Sequence, residues 1–431
     1  MRTWLGSAGV VVVAGSALAA ASLAQPARSR APAGQSRPTA ETTTYWMSAD
    51  TVTGVAAMAA GMVSGVPGVP GASGPTGEQA QPRAPRIGSV IGGLLRRRLP
   101  GGGRAETAPG AAPPQASSAG TDPSMRNLEL RLGSATSPTG IPRAEHLVPA
   151  ALGVGPSLPL LSPEGSRPPQ GTPGTMPNME HPRGRILIYW GCGERARPGQ
   201  PVTIDLSRMA GGQMPPGLAT GPTLRGGTPP DPSRFPGYGE WPNRQSTQRV
   251  PASGSLLGDH VVRGNYSPEI RFSLAGGQDF LQPLRVSGNT ASPSGAVPLT
   301  WGAVPNATGY LATVMGGGGA ETLVIWTSSE SQLFGMGFGD YLAPTDAARL
   351  VTSRVLLSPA TTRCTVPAEV ARAGQGLMLA MTAYGPEANI AEPRPNGAAA
   401  NWRPQWTVKL RTRSSHMSPL GQDMAAMMRG Q

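Results

Sequence analysis

Residues 296–310 read AVPLTWGAVPNATGY. Alternating β-branched and large side chains run up to Trp301, a turn follows through Pro305 and Asn306, and strand-like sequence resumes over residues 309–315, GYLATVM. That order reads as a strand, a turn and a second strand. A glycine run at 316–319 joins it to ETLVIWTS (321–328), and RVLLS (354–358), GLMLAMTAYG (376–385) and QWTVKLRTR (405–413) continue in the same style. Trp301, Tyr310, Trp326 and Tyr384 are the large side chains expected to fill the core. Only residues 343–353, APTDAARLVTS, break the strand pattern, and they are expected to form a short surface helix.

Working toward the N-terminus, NLELRLGS (127–134) places Leu128, Leu130 and Leu132 on one face of a half-buried strand. GRILIYWGCGE supplies a strand over 186–190 with Trp190 as a further core residue, and PVTIDLS (201–207), EIRFSL (269–274) and LQPLRVSG (281–288) follow. Short strands between long Gly/Pro-rich loops, with no long amphipathic helix, indicate antiparallel β structure. Gly (60) and Pro (48) together make up about a quarter of the 431 residues and are densest upstream, as in GVPGVPGASGPTG (65–77). A segment of that composition buries too little apolar surface to offset the entropy of ordering its backbone. The expected fold is therefore mainly β: two antiparallel β-sandwich-like domains, 125–295 and 296–415, after a disordered Gly/Pro/Ala-rich tether, 25–124, and before a Met-containing tail, 416–431.

The first 24 residues read as a signal peptide. Arg2 precedes an uncharged apolar stretch, and Ser22-Leu23-Ala24 puts small residues where signal peptidase needs them. The mature chain is expected to be periplasmic or secreted, with outer-membrane association as one form of this, and to contain no transmembrane span. In an oxidising compartment Cys192 and Cys364 allow one intramolecular disulfide; two separate buried thiols, or a metal or redox role, are the alternatives. Neither cysteine lies in a C-x-x-C pattern.

The phrases LTW, ATGY and AMTAYG give residues 296–390 a resemblance to a fibronectin type III or immunoglobulin-like β-sandwich module, and the whole chain resembles an exported bacterial protein. The resemblance implies adhesion, spacing or protein contact rather than chemistry.

Catalytic signatures are missing from the sequence. His146, His181, His260 and His416 include no pair at the spacing of helical zinc hydrolases, and there is no G-x-S-x-G elbow or phosphate-binding glycine loop. Asp259 beside His260 makes a poor dyad, because neighbours in a strand point to opposite faces. Glu145, Glu180, Glu194, Asp205, Asp259, Glu269, Asp279 and Glu321 offer carboxylates for a glycosidase with no preference among them. His416 with Met417, Met424, Met427 and Met428 is a weak candidate set for cuprous ion; no cofactor is expected. The formal charge of +12 is almost wholly arginine, Lys409 being the single lysine. It matches no nucleic-acid-binding signature, and specific nucleic-acid binding is not expected. The expectation is an exported, non-enzymatic envelope protein making protein or surface contacts. Its alternatives are binding to an anionic lipid or polymer through Arg-rich patches, and a periplasmic hydrolase or carbohydrate-active enzyme without a recognisable motif.

Overall fold

The computed structural model describes residues 43–55, 57, 124–163, 184–206, 224, 227–319, 321–333 and 341–422. They belong to one compact unit, Ala40–Gln431. The architecture is mainly β, with three sheets.

The largest sheet has nine strands: β1 (Thr43–Gly54), β2 (Ser124–Ser134), β5 (Arg185–Trp190), β6 (Val202–Asp205), β7 (Gly237–Trp241), β12 (Gly309–Gly317), β13 (Thr322–Thr327), β15 (Gln375–Ala391) and β16 (Trp406–Pro419). Their spatial order is β6-β5-β13-β12-β15-β16-β1-β2-β7. A four-stranded sheet orders β4 (Ser157–Leu160), β3 (Ala144–Leu147), β8 (Gly258–Gly264) and β9 (Ser267–Leu274). A three-stranded sheet orders β10 (Val286–Ser287), β11 (Val297–Trp301) and β14 (Arg363–Val366). Two short helices, α1 (Pro344–Thr352) and α2 (Ala368–Ala373), complete the described elements together with one 3-10 turn.

Both small sheets pack on the same face of the large one. Tyr45, Met47, Leu128, Leu130, Leu132, Val408 and Leu410 meet Leu158, Val262, Ile270 and Phe272 of the four-stranded sheet in one core. Val314, Trp326, Leu379 and Met381 meet Val297, Leu299, Trp301 and Val366 of the three-stranded sheet in a second. On β16 every second residue from Trp406 to Ser418 points this way, since alternation has period two; the strand therefore passes from the first core to the second. Between the cores the chain at Leu281–Leu284 lies across the sheet. There Thr51 Oγ1 donates to the Leu281 carbonyl at 2.7 Å, Thr53 Oγ1 donates to that of Leu284 at 2.6 Å, and the Leu284 N–H donates to Ser414 Oγ at 2.9 Å.

Strand β7, GYGEW, is poor strand sequence by propensity. Its glycine at 239 is required by packing: a Cβ there would lie 2.5 Å from Tyr266 Oη and 2.9 Å from the Leu160 carbonyl oxygen. Gly239→Ala is expected to destabilise the fold by about 2 kcal/mol through overpacking. A urea midpoint equal to that of the wild type would show that Tyr266 moves aside freely.

Several expectations need correction. The tether drawn over 25–124 contains β1, whose TTYWMSADTVTG is buried along nearly its whole length. Twelve strand-forming residues vanish in an average taken over a hundred Gly/Pro-rich ones, and β1 gains its stability from partners more than 60 residues away in sequence, β2 and β16. The sheet is not purely antiparallel, because β1 pairs with β16 and β5 with β13 in parallel. The large sheet draws strands from both sides of the boundary expected at 295/296. Residues 354–358 form no strand; Leu357 makes an isolated bridge to Tyr310. Within 281–288 only Val286–Ser287 is a strand. The tail expected from 416 begins as strand, since β16 continues to Pro419. The helix expected over 343–353 is α1, and it buries Ala347 and Leu350 against Leu311 and Tyr384. Trp301, Tyr310, Trp326 and Tyr384 are buried, whereas Trp190 is half-buried at the margin of an aliphatic cluster around Ile186 and Ile188. The signal peptide, His181 and Glu180 lie outside the described residues.

Candidate functional site

Three groupings of polar side chains stand out: a row of cations on the large sheet, two hydrogen-bonded histidine chains, and the cysteine pair.

The cation row follows from strand alternation. Lys409, Arg411 and Arg413 of β16 occupy the face opposite the two cores, and the parallel register sets them beside Trp46, Ser48 and Asp50 of β1. The Arg411 guanidinium lies 4.7 Å from the Trp46 ring centre and 4.5 Å from that of Tyr341, and its Nη2 donates to Ser48 Oγ at 2.9 Å. Arg413 lies 4.7 Å from the same Tyr341 ring centre and donates through Nε to Asp50 Oδ2 at 3.0 Å. Lys409 sits 5.1 Å from Trp46 and forms an ion pair with Glu387. Stacking of this kind contributes about 0.5–2 kcal/mol per contact, more where water is excluded.

The centre of this row is internal, while Lys409 and Arg413 are half-buried. Arg411 is 8% exposed and Asp50 6%. Burial raises the Asp50 carboxyl above its ordinary range and outweighs the opposing pull of Arg413 and the Ser415 hydroxyl. A carboxyl raised in this way takes up its proton sooner in the folded state than in the unfolded one, so its ionisation opposes folding and the ion pair is a poor source of net stability. Asp50→Ala, which strands Arg413 and Ser415, is expected to cost roughly 2 kcal/mol, less than a fully buried pair because Arg413 keeps some contact with water. Asp50→Asn retains the hydrogen bonds without the buried charge and is expected to cost less than about 1 kcal/mol. Equal losses in chemical denaturation would refute this account.

The first histidine chain lies in the core beneath the four-stranded sheet. Tyr45 Oη is 2.8 Å from His146 Nδ1, His146 Nε2 is 2.9 Å from His260 Nδ1, and His260 Nε2 is 2.7 Å from the Leu256 carbonyl. A carbonyl can only accept, so His260 carries its proton on Nε2 and offers a bare Nδ1. His146 must then donate from Nε2 and accept at Nδ1 from the Tyr45 hydroxyl. Every polar atom of the chain is satisfied while both imidazoles stay neutral. Phe272 stacks on His260 with ring centres 4.8 Å apart and planes 5° from parallel. Burial lowers His146 well below the usual imidazole range, with His260 adding to the effect; burial also lowers His260, and it raises the Tyr45 hydroxyl.

His416 belongs to the second chain. Thr53 Oγ1 donates to the Leu284 carbonyl, so it accepts at 2.9 Å from His416 Nδ1–H; His416 Nε2 in turn lies 3.2 Å from Ser418 Oγ. Of the weak metal set, Met417 points to the other face and is 41% exposed, while Met424, Met427 and Met428 lie outside the described residues. Among the described residues no group of three His, Cys, Asp or Glu side chains is placed to hold a metal ion. His260 is buried and Asp259 exposed, as alternation requires.

Cys192 and Cys364 are joined, with Cα atoms 5.3 Å apart. The bond is framed by hydrogen bonds from Gly193 N to Thr365 O at 2.9 Å and from Ala368 N to Glu194 O at 3.0 Å. Trp326 Nε1 also donates to Gly191 O at 2.9 Å, and Ala196 N to Glu369 Oε2 at 2.8 Å, the latter lowering the Glu369 carboxyl. The staple thus ties the end of β5 to β14 and the start of α2, joining the large sheet to the three-stranded one.

Of these groupings the cysteine pair was anticipated from sequence. The cation row had a signal in KLRTR (409–413), which alternates, but its partners lay in the segment read as tether. The Tyr45–His146–His260 chain had none. No protein-family model matches the chain, and no curated protein matches it. No helix among the described residues is long and apolar enough to cross a membrane.

Proposed function

We propose that this chain is an exported, non-enzymatic envelope protein, a disulfide-stapled β scaffold that makes protein contacts. The observation that carries the reading is the Cys192–Cys364 bond, which links two sheets across 172 residues of sequence and is of the kind that persists in oxidising compartments. The histidine chemistry points the same way. His146 and His260 are consumed in a neutral chain that ends on a carbonyl, an arrangement suited to holding two sheets together and unsuited to proton transfer with a substrate.

The finer reading, a fibronectin- or immunoglobulin-like module around β11 and β12, has support from Tyr310. Its hydroxyl accepts the Val304 N–H, six residues upstream, at 2.9 Å, a contact similar to the tyrosine corner of such sandwiches. An anionic lipid or polymer partner has less support, because Lys409, Arg411 and Arg413 already face Glu387, Ser48 and Asp50.

Maleimide labelling of protein taken directly from cells, before and after reduction, tests the reading when combined with envelope fractionation and in-cell cross-linking. Both cysteines are expected to resist labelling until reduced, in an envelope fraction that yields a reproducible cross-linked protein. Freely reactive thiols in a cytoplasmic fraction overturn it.

A further inference from the structure

At one end of the first core, where the β8–β9 turn meets the start of β1 and the approach to β16, lies an open cavity of about 500 Å³. Thr43, Thr136, Tyr266, Ser267, Pro268 and Gln405 contribute to its wall, and among the described residues no carboxylate or basic side chain does. The size falls in the range of small-molecule sites.

In this wall the Ser267 Oγ is buried with no hydrogen-bond partner among the described residues, while the hydroxyl of the adjacent Tyr266 turns into the core against Gly239. Buried hydroxyls are normally paired, and leaving one unpaired is costly. Their neighbours are fully engaged. Asn265 accepts from the Arg143 N–H at 3.0 Å and donates to the Thr139 and Ile141 carbonyls at 3.0 Å each, while Thr43 Oγ1 donates to Ser134 Oγ at 3.2 Å. The turn is therefore held in place before any ligand arrives, which lowers the entropic cost of binding. Gln405 is exposed and adds an amide at the rim.

We propose that this cavity binds a small neutral polyhydroxylated ligand, a mono- or disaccharide. Hydroxyl, amide and carbonyl groups without a formal charge match sugar hydroxyls, and the Pro268 ring offers an apolar surface for a sugar's C–H face. A charged ligand finds no counter-ion in the wall. The inference stands independently of the compartment in which the protein works.

The test is titration of the whole mature protein with glucose, N-acetylglucosamine, maltose and cellobiose, with glucuronate as the charged comparison, followed by amide NMR. Shifts confined to residues 264–268 and to Thr43 and Gln405 are expected for at least one neutral sugar. Ser267→Ala and the rim substitution Gln405→Ala are each expected to weaken binding about tenfold, with the thermal midpoint of Ser267→Ala unchanged or raised. No shift at millimolar sugar in a folded wild-type protein overturns the proposal. So does undiminished binding by both variants, or equal binding of glucuronate.

Discussion

Replacing Cys192 and Cys364 together by alanine is expected to remove about 5 kcal/mol of stability, by the chain-entropy estimate for a bridge across 172 residues. That is a large part of what holds an ordinary domain folded. The loss comes from the unfolded state, where the bond forbids most of the conformations open to the long loop. The folded state is expected to survive it, because Gly193, Glu194, Ala196 and Gly191 remain hydrogen-bonded to Thr365, Ala368, Glu369 and Trp326. The double variant should therefore keep the far-ultraviolet signature of the wild type while its urea midpoint falls steeply. A midpoint within about 1 kcal/mol of wild type would mean that the unfolded chain is already compact between these positions.

The second large effect is acid lability from the neutral histidine chain. Both imidazoles are held below their unfolded values, so in acid the unfolded chain binds protons that the folded one refuses. The stabilising contribution is fully present above the unfolded imidazole range near pH 6.5 and is lost as pH falls below it. Each histidine contributes a slope of up to about 1.4 kcal/mol per pH unit, so the pair is expected to remove roughly 2–4 kcal/mol between pH 7 and pH 5. The charged and titratable neighbours are few. Tyr45 and Tyr266 face the chain from β1 and the β8–β9 turn, and Asp259, on the exposed side of β8, raises His260 without overcoming burial. Asp50 works in the opposite sense, since its raised carboxyl makes the folded state the better proton acceptor. Imidazole resonances of His146 and His260 should stay fixed from pH 8 to the onset of acid unfolding. An ordinary titration near pH 6.5 for both would sink the account.

The two strands of residues 296–310 were legible because strand pattern, turn residues and resumed strand pattern lie within one short window, but β11 and β12 pair in different sheets, which that window could not say. The same holds for β2, β5 and β13, whose leucines and isoleucines alternate or cluster strongly enough to mark a strand without knowledge of its partner. Strand β1 was hidden by its surroundings, and the loss was compounded, because Tyr45, Trp46, Ser48 and Asp50 are the partners that give His146, Arg411 and Arg413 their roles.

By itself the sequence determined the mainly-β character, the separation of Asp259 and His260 onto opposite faces, and the single pairing open to two cysteines. Those are consequences of short-range periodicity and of counting. Only the tertiary structure decided that one nine-stranded sheet carries both cores, that β1 lies parallel to β16 more than 350 residues away in the chain, and that two histidines more than 100 residues apart share one proton-ordered chain. The physical reason is that strand pairing and buried hydrogen bonds depend on which surfaces meet after collapse, and a local pattern specifies a strand's faces without naming the strand it will lie beside.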